Sequence, residues 1–165
     1  MIFVEISLAS LHMKILLIGY GKMGKAIEAV ALQRGHQIVD KIDVDTIQKL
    51  ASYTSDHVDV AIEFTHPTSA KSNLINCIDQ NIPVVCGTTG WLASYDQVVA
   101  YCKSKNGTLC YSSNYSIGVN IFFKINALLA RYMQPHTQYD VTMEETHHVY
   151  KKDAPSGTAI SIAEG

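Results

Sequence analysis

An apolar run that passes straight into a glycine hairpin constrains this chain more than any other feature. Lys14-Ile15-Leu16-Leu17-Ile18 is continuous, as expected of a strand covered on both faces of a parallel sheet. It enters Gly19-Tyr20-Gly21-Lys22-Met23-Gly24, a GxGxxG. A helical segment follows from Lys25 to Arg34, and Gly35 stands where helices commonly end. The next strand-like stretch, Gln37 to Ile42, leads to Asp43, nineteen residues after Gly24. Glycines alone also punctuate ordinary turns. Strand before, helix after and an acid about 20 residues on make the hairpin a dinucleotide-binding unit. The first glycine makes the tight turn, the second admits a pyrophosphate, and the third lets helix and strand approach. Asp43 is placed to accept hydrogen bonds from the adenosine ribose; as a plain turn residue it would resemble Asp45 nearby. Val44 follows, where an arginine would grip a 2′-phosphate. NADH is therefore expected over NADPH, with Lys41 the side chain that could still reach round.

The same alternation continues. Val58 to Phe64 reads as a third strand, Thr68 to Gln80 as a helix, Ile82 to Cys86 as a fourth strand, Ser94 to Lys105 as a helix and Thr108 to Tyr111 as a fifth strand. Strands four and five end in Gly87-Thr88-Thr89-Gly90 and Ser112-Ser113-Asn114-Tyr115-Ser116. Small and hydroxyl residues at the carboxyl ends of parallel strands are where such sheets bind ligands. The pattern predicts a doubly wound α/β (Rossmann) domain over residues 13–116. After Gly118 the character changes: a long apolar helix from Val119 to Met133, then Tyr139 to Glu145 alternating as a strand with one wet face. Residues 117–165 are expected to begin a second, α+β, substrate-holding domain. Residues 1–12 look like an upstream extension, because Met13-Lys14 makes a more natural start and the leading stretch has no basic residues before its apolar ones.

Composition narrows the function classes. A formal net charge of -2 and a pI near 6.4 argue against nucleic acid or an anionic membrane as partner. No apolar run approaches the roughly 20 residues that span a bilayer. Cys77, Cys86, Cys102 and Cys110 form no CxxC pair, so they read as reduced thiols of a cytoplasmic protein, with no metal site expected.

The chemistry concentrates in Glu145 to Ala159, ETHHVYKKDAPSGTA. Ser156, Gly157 and Thr158 sit where a helix would begin, and first-turn N–H groups bind carboxylate or phosphate. Histidine as a residue type changes charge near neutral pH, so either His147 or His148 could deliver a proton. Lys151 and Lys152 add fixed positive charge. Neighbouring residues of a regular strand face opposite sides, so both histidines could not line one pocket; the strand is expected to end at His147. A solvated basic loop capping a helix is the bland alternative, and the clustering favours a site.

Four blocks, IGYGKMG, VVCGTTGW, SSNYSIGVN and EETHHVYKKDAPSGTA, together resemble the dihydrodipicolinate (4-hydroxy-tetrahydrodipicolinate) reductase family of lysine and diaminopimelate biosynthesis. The resemblance runs from Met13 to Gly165. It implies that Gly19, Tyr20, Gly21, Lys22, Met23 and Gly24 hold the pyrophosphate and Asp43 the ribose. Gly87, Thr88, Thr89, Ser112, Ser113, Asn114 and Tyr115 would line the nicotinamide side. His147 would be the proton donor, Lys151 a second catalytic residue, and His148, Gly157 and Thr158 the holders of the substrate carboxylates. The implied reaction reduces a cyclic unsaturated imine dicarboxylate to tetrahydrodipicolinate with NADH or NADPH, in a homotetramer. Val149-Tyr150 stand where many relatives carry a further basic residue. Family members continue beyond the position of Gly165, so the chain is expected to be a fragment with negligible turnover alone. Rival readings are another Rossmann-fold dehydrogenase of amino-acid metabolism, in which HHVYKKDAPSGTA is not expected, and a non-catalytic NAD-binding domain, which needs no proton donor.

Overall fold

The computed structural model describes residues 12–149 and 154–164. The first of its two compact units, Met1–Tyr111, is built on a five-stranded parallel sheet in the order β2-β1-β3-β4-β5. The strands are β1 (Lys14–Ile18), β2 (Gln37–Ile42), β3 (Val60–Glu63), β4 (Val84–Cys86) and β5 (Leu109–Tyr111), joined through α1 (Lys22–Gln33), α2 (Pro67–Asp79) and α3 (Tyr95–Ser104).

The unbroken apolar run of β1 is explained by its place in the layers. Ile15 and Leu17 face one cluster with Ala31 of α1, Ile27 and Ile38. Leu16 and Ile18 face the other, with Ala70, Leu74 and Ile78 of α2 and Val98 of α3. Alternate side chains of a strand point to opposite faces, so a strand between two helix layers must be apolar throughout. Leu16, Leu17 and Ile18 are at most 1% exposed, and each buried side chain of this size contributes about 1.5–3 kcal/mol.

Local signals set the ends of α1. At Gly35, φ is +80°, and the N–H groups of Gly35 and His36 donate to the carbonyls of Leu32 and Ala31. That closes the helix in the left-handed turn glycine favours. The helix begins three residues before the expected Lys25, at Lys22, because the hairpin itself winds into its first turn. The sequence did not foresee Val44–Ser52, which forms a 3₁₀ segment capped by Asp43 with its own Leu50 buried.

The second unit, Ser112–Gly165, holds α4 (Ile117–Met133) and the seven-residue α5 (Gly157–Ala163). The break follows β5 directly, slightly ahead of the position near Ser116 suggested by composition. Ser116 caps α4, its Oγ accepting from Val119 N at 3.4 Å. The expected strand Tyr139 to Glu145 does not form; that stretch carries no regular structure. Its alternation is real, yet Tyr139, Val141 and Met143 are exposed. A strand exists only through hydrogen bonds to a neighbour, and no described strand pairs with it. The question of where a strand ends near His147 therefore lapses.

Candidate functional site

The carboxyl ends of β1, β2 and β3 open on a groove of about 350 Å³, lined by Gly19, Tyr20, Gly21, Asp43, Val44, Ile47, Phe64, Thr65, His66 and Ser69 among others. Gly19 turns the chain at φ +94°, and a Cβ there would lie 1.9 Å from the carbonyl oxygen of Phe64. At Gly24 an added Cβ would lie 2.3 Å from the Gly19 carbonyl oxygen, so this glycine sets the close approach of α1 to the hairpin. Gly21 differs: a Cβ there would meet nothing within 4 Å. It is the N-cap of α1 and caps it with no side chain. Open space above uncapped first-turn N–H groups, at the positive end of a twelve-residue helix, fits a pyrophosphate.

Asp43 lines the same groove while capping the 3₁₀ segment. One carboxylate oxygen accepts from Val44 N at 2.9 Å, and Thr46 Oγ1 accepts from Asp43 N at 2.9 Å. The cap fixes the side chain, and a carboxylate keeps further lone pairs for a ribose hydroxyl. Turn residue and ligand acceptor are thus compatible roles here. Not every hairpin residue reaches the groove. Met23 lies on the other side of α1, in an apolar depression with Met13, Ile15, Ile27 and Val30. Lys22 is exposed at the first helical position.

Lys41, the side chain that could have reached toward a 2′-phosphate, is already engaged. Its Nζ lies 2.7 Å from Glu28 Oε1 on α1 and 4.8 Å from the centre of the Tyr20 ring. The Tyr20 hydroxyl donates to the other Glu28 oxygen. The hydrogen bonds from Lys41 and then Tyr20 hold the Glu28 carboxyl below its ordinary range, and Glu28 raises the lysine in turn.

Behind the groove is a buried carboxylate that sequence reasoning passed over. Glu63, the last residue of β3, is 0% exposed. It accepts from Thr88 Oγ1 at 2.8 Å, Cys86 Sγ at 3.1 Å, Asn73 Nδ2 at 3.4 Å and the Thr65 hydroxyl. Thr88 Oγ1 also accepts from Thr65 N at 2.7 Å. These bonds tie the loop after β3 to the Gly87-Thr88 loop after β4. The Thr88 side chain, 4% exposed, is spent on this network and does not line the groove. A Cβ on Gly87 would fall 2.1 Å from the Phe64 ring, so Gly87 admits that ring, which does line the groove. Thr89 beside them is half-buried. A charged residue ending a buried strand was the available signal for Glu63. Burial, and secondarily Glu63, push Cys77 up to about 12 and Cys86 up as well, which keeps both as thiols. None of the four cysteines forms a disulfide.

In the second unit, Ser112 to Ser116 fold into a hydrogen-bonded loop. Ser112 Oγ donates to the Asn114 carbonyl at 2.7 Å, and Asn114 Oδ1 accepts from Ser116 N at 2.8 Å. Ser113 is half-buried beside them, and Tyr115 is 45% exposed.

Further along, Glu145 joins the two halves of the signature stretch. Its carboxylate accepts from Ser156 N at 3.0 Å and lies 2.5 Å from His147 Nε2. Ser156 and then His147 hold the Glu145 carboxyl down at about 2. Ser156, 6% exposed, caps α5 through Ala159 N at 3.1 Å. Gly157 and Thr158 follow as the first two residues of α5, whose N–H groups have no intrahelical acceptor. The imidazole of His147, a carboxylate and a helix start are thereby held together, with His148 exposed next to them. Lys151 lies outside the described residues. Glu145 went unassigned in the sequence because its partner Ser156 is eleven residues away.

Residues 13–115 match the family model of the dihydrodipicolinate reductase N-terminus, and residues 118–165 match that of its C-terminus. The chain belongs to the dihydrodipicolinate reductase family. It is 45% identical over 152 residues to the 4-hydroxy-tetrahydrodipicolinate reductase of Christiangramia forsetii, covering 92% of this chain and 63% of that protein. The corresponding Pseudoalteromonas atlantica protein is 37% identical over 132 residues, covering 80% of this chain and 45% of its own length. The chain thus spans less than two thirds of these relatives. Among solved structures, the dipicolinate-bound dihydrodipicolinate reductase of Paenisporosarcina sp. TG-14 superposes with a TM-score of 0.65 at 23% identity, over 93% of this chain and 65% of that one. That likeness shows a shared fold.

Proposed function

We propose that this chain carries the nucleotide-binding and proton-donating parts of an oxidoreductase that reduces 4-hydroxy-tetrahydrodipicolinate, a cyclic unsaturated imine dicarboxylate, to tetrahydrodipicolinate. The observation that carries the reading is the pairing, in one chain of this family, of an open glycine groove with a His147–Glu145–Ser156 cluster at the start of a helix. The nicotinamide, when bound, supplies a hydride to a ring carbon. Gly19, Gly21 and the first turn of α1 hold the pyrophosphate, and Asp43 takes the ribose hydroxyls. Gly87 and Thr88 support this half from behind, by admitting Phe64 and by anchoring Glu63, and Thr89 lies on the nicotinamide side. Ser112 to Tyr115 bear on the nicotinamide side.

His147 gives a proton to the carbon next to the one reduced, and Glu145 fixes the imidazole that does so. Lys151 assists as the second catalytic residue. His148, Gly157 and Thr158 receive the substrate carboxylates, using helix N–H groups and positive charge that also stabilise the charge developing on reduction. NADH is preferred over NADPH, because Asp43 repels a 2′-phosphate and Lys41 is neutralised by Glu28. No described helix is long and apolar enough to cross a membrane; the reading adds a cytoplasmic homotetramer to that. The deciding experiment replaces His147 with glutamine in the full-length protein. Turnover is expected to fall by about 10²–10⁴ while NADH binding persists. Unchanged turnover overturns the assignment.

A further inference from the structure

The nucleotide groove is flanked by an ion pair that the reaction does not use, Glu28 and Lys41, with Tyr20 beside it. Its position gives it a consequence. Lys41 and Asp43 are two residues apart at the end of β2, and the backbone is still extended at Asp43, with φ -128° and ψ -178°. Side chains two apart in extended chain project to the same side. Tyr20, whose ring the Lys41 ammonium overlies at 4.8 Å, lines the groove together with Asp43. The ammonium therefore stands next to the region where Asp43 meets ribose hydroxyls. It is engaged there by Glu28, at 2.7 Å, and by the Tyr20 hydroxyl, at 3.4 Å.

We propose that Glu28 is a positioning residue for cofactor choice: by holding Lys41 on α1, it withholds the one β2 cation that could meet a 2′-phosphate beside Asp43. This rests on the dinucleotide reading of the groove. Charge arithmetic supports it. Glu28, Lys41 and Asp43 sum to one net negative charge at the ribose end, and removing the Glu28 charge brings the sum to zero while freeing a flexible cation. Glu28 is 18% exposed and Lys41 40%, so the pair lies near the surface. There an ion pair is weak enough to exchange partners. Nearby cations of α1 offer a competing account. Lys25 Nζ lies 5.8 Å from the Tyr20 ring, and Lys22 is exposed at the helix start. The test must therefore show that any gain runs through Lys41.

NADH and NADPH are titrated separately, by nicotinamide fluorescence at low salt, into the full chain and into Glu28→Gln, Lys41→Met and the double variant. Circular dichroism checks that each variant is folded. The unaltered chain is expected to bind NADH more tightly. Glu28→Gln is expected to tighten NADPH about five- to tenfold with NADH within twofold, an effect that fades as salt screens it. Lys41→Met alone does not raise the NADPH-to-NADH ratio, because the same sum then leaves two negative charges at the ribose end. The double variant returns to the starting ratio. An unchanged ratio in Glu28→Gln, or a gain that survives loss of Lys41, overturns the proposal while leaving the groove's reading intact. Binding of neither nucleotide by the unaltered chain overturns both.

Discussion

The two units of this chain treat apolar residues in opposite ways. In the sheet unit, four of the five residues of β1 are buried, and α2 alone contributes five buried residues. Along the seventeen residues of α4, not one is buried, although it carries Ile121, Phe122, Ile125, Leu128 and Leu129. Composition therefore does not decide burial. What differs is the presence of a second layer: β1 lies between α1 and α2, whereas within its own unit α4 packs against the short α5. An apolar stripe contributes to stability only when another surface removes it from water.

Substitutions can break or sharpen this contrast. The largest effect is expected at Leu16, 0% exposed between β1 and α2. Leu16→Ala should cost about 3–4 kcal/mol by urea denaturation of the sheet unit; a loss under 1 kcal/mol would mean the layer is loose. Next comes the cap of α5. Ser156→Ala removes the acceptor for Ala159 N and should cost about 1 kcal/mol, read as faster hydrogen exchange at Ala159.

The pH dependence of the Glu145 contact is smaller and has a definite sign. Its carboxyl is held at about 2, well below the ordinary carboxyl range, chiefly by Ser156 and His147. A lowered carboxyl stabilises the folded contact above the unfolded value. That contribution is lost as pH falls through about 2. The Ser156 amide resonance should therefore move in that acid window. Movement centred near the ordinary carboxylate value instead would show that the contact is absent in solution. The smallest effect is expected at Leu128, 47% exposed on α4. Leu128→Ala should change the stability of this chain by less than about 0.5 kcal/mol. A cost like that at Leu16 would show α4 to be covered in solution and end the contrast.

Much of the sheet unit was legible because its signals are local. The continuous run of β1, the hairpin glycines and Gly35 each specify backbone geometry within a few residues, and the structure realises all three. The strand expected from Tyr139 to Glu145 shows the limit of such signals. Alternation describes a strand's faces but supplies no hydrogen-bonding neighbour, and without one the segment stays irregular. For the same reason Glu63 and Glu145 escaped notice: their partners Thr88 and Ser156 are twenty-five and eleven residues away.

The sequence by itself determined which residues turn, cap and cross, and which family the chain resembles, because those depend on near neighbours and residue type. The tertiary structure alone decided that Thr88 faces inward, that Gly87 makes room for Phe64, and that Lys41 is held by Glu28. Each depends on side chains far apart in the chain meeting within a few ångströms. Only the packing of strands and helices creates those distances.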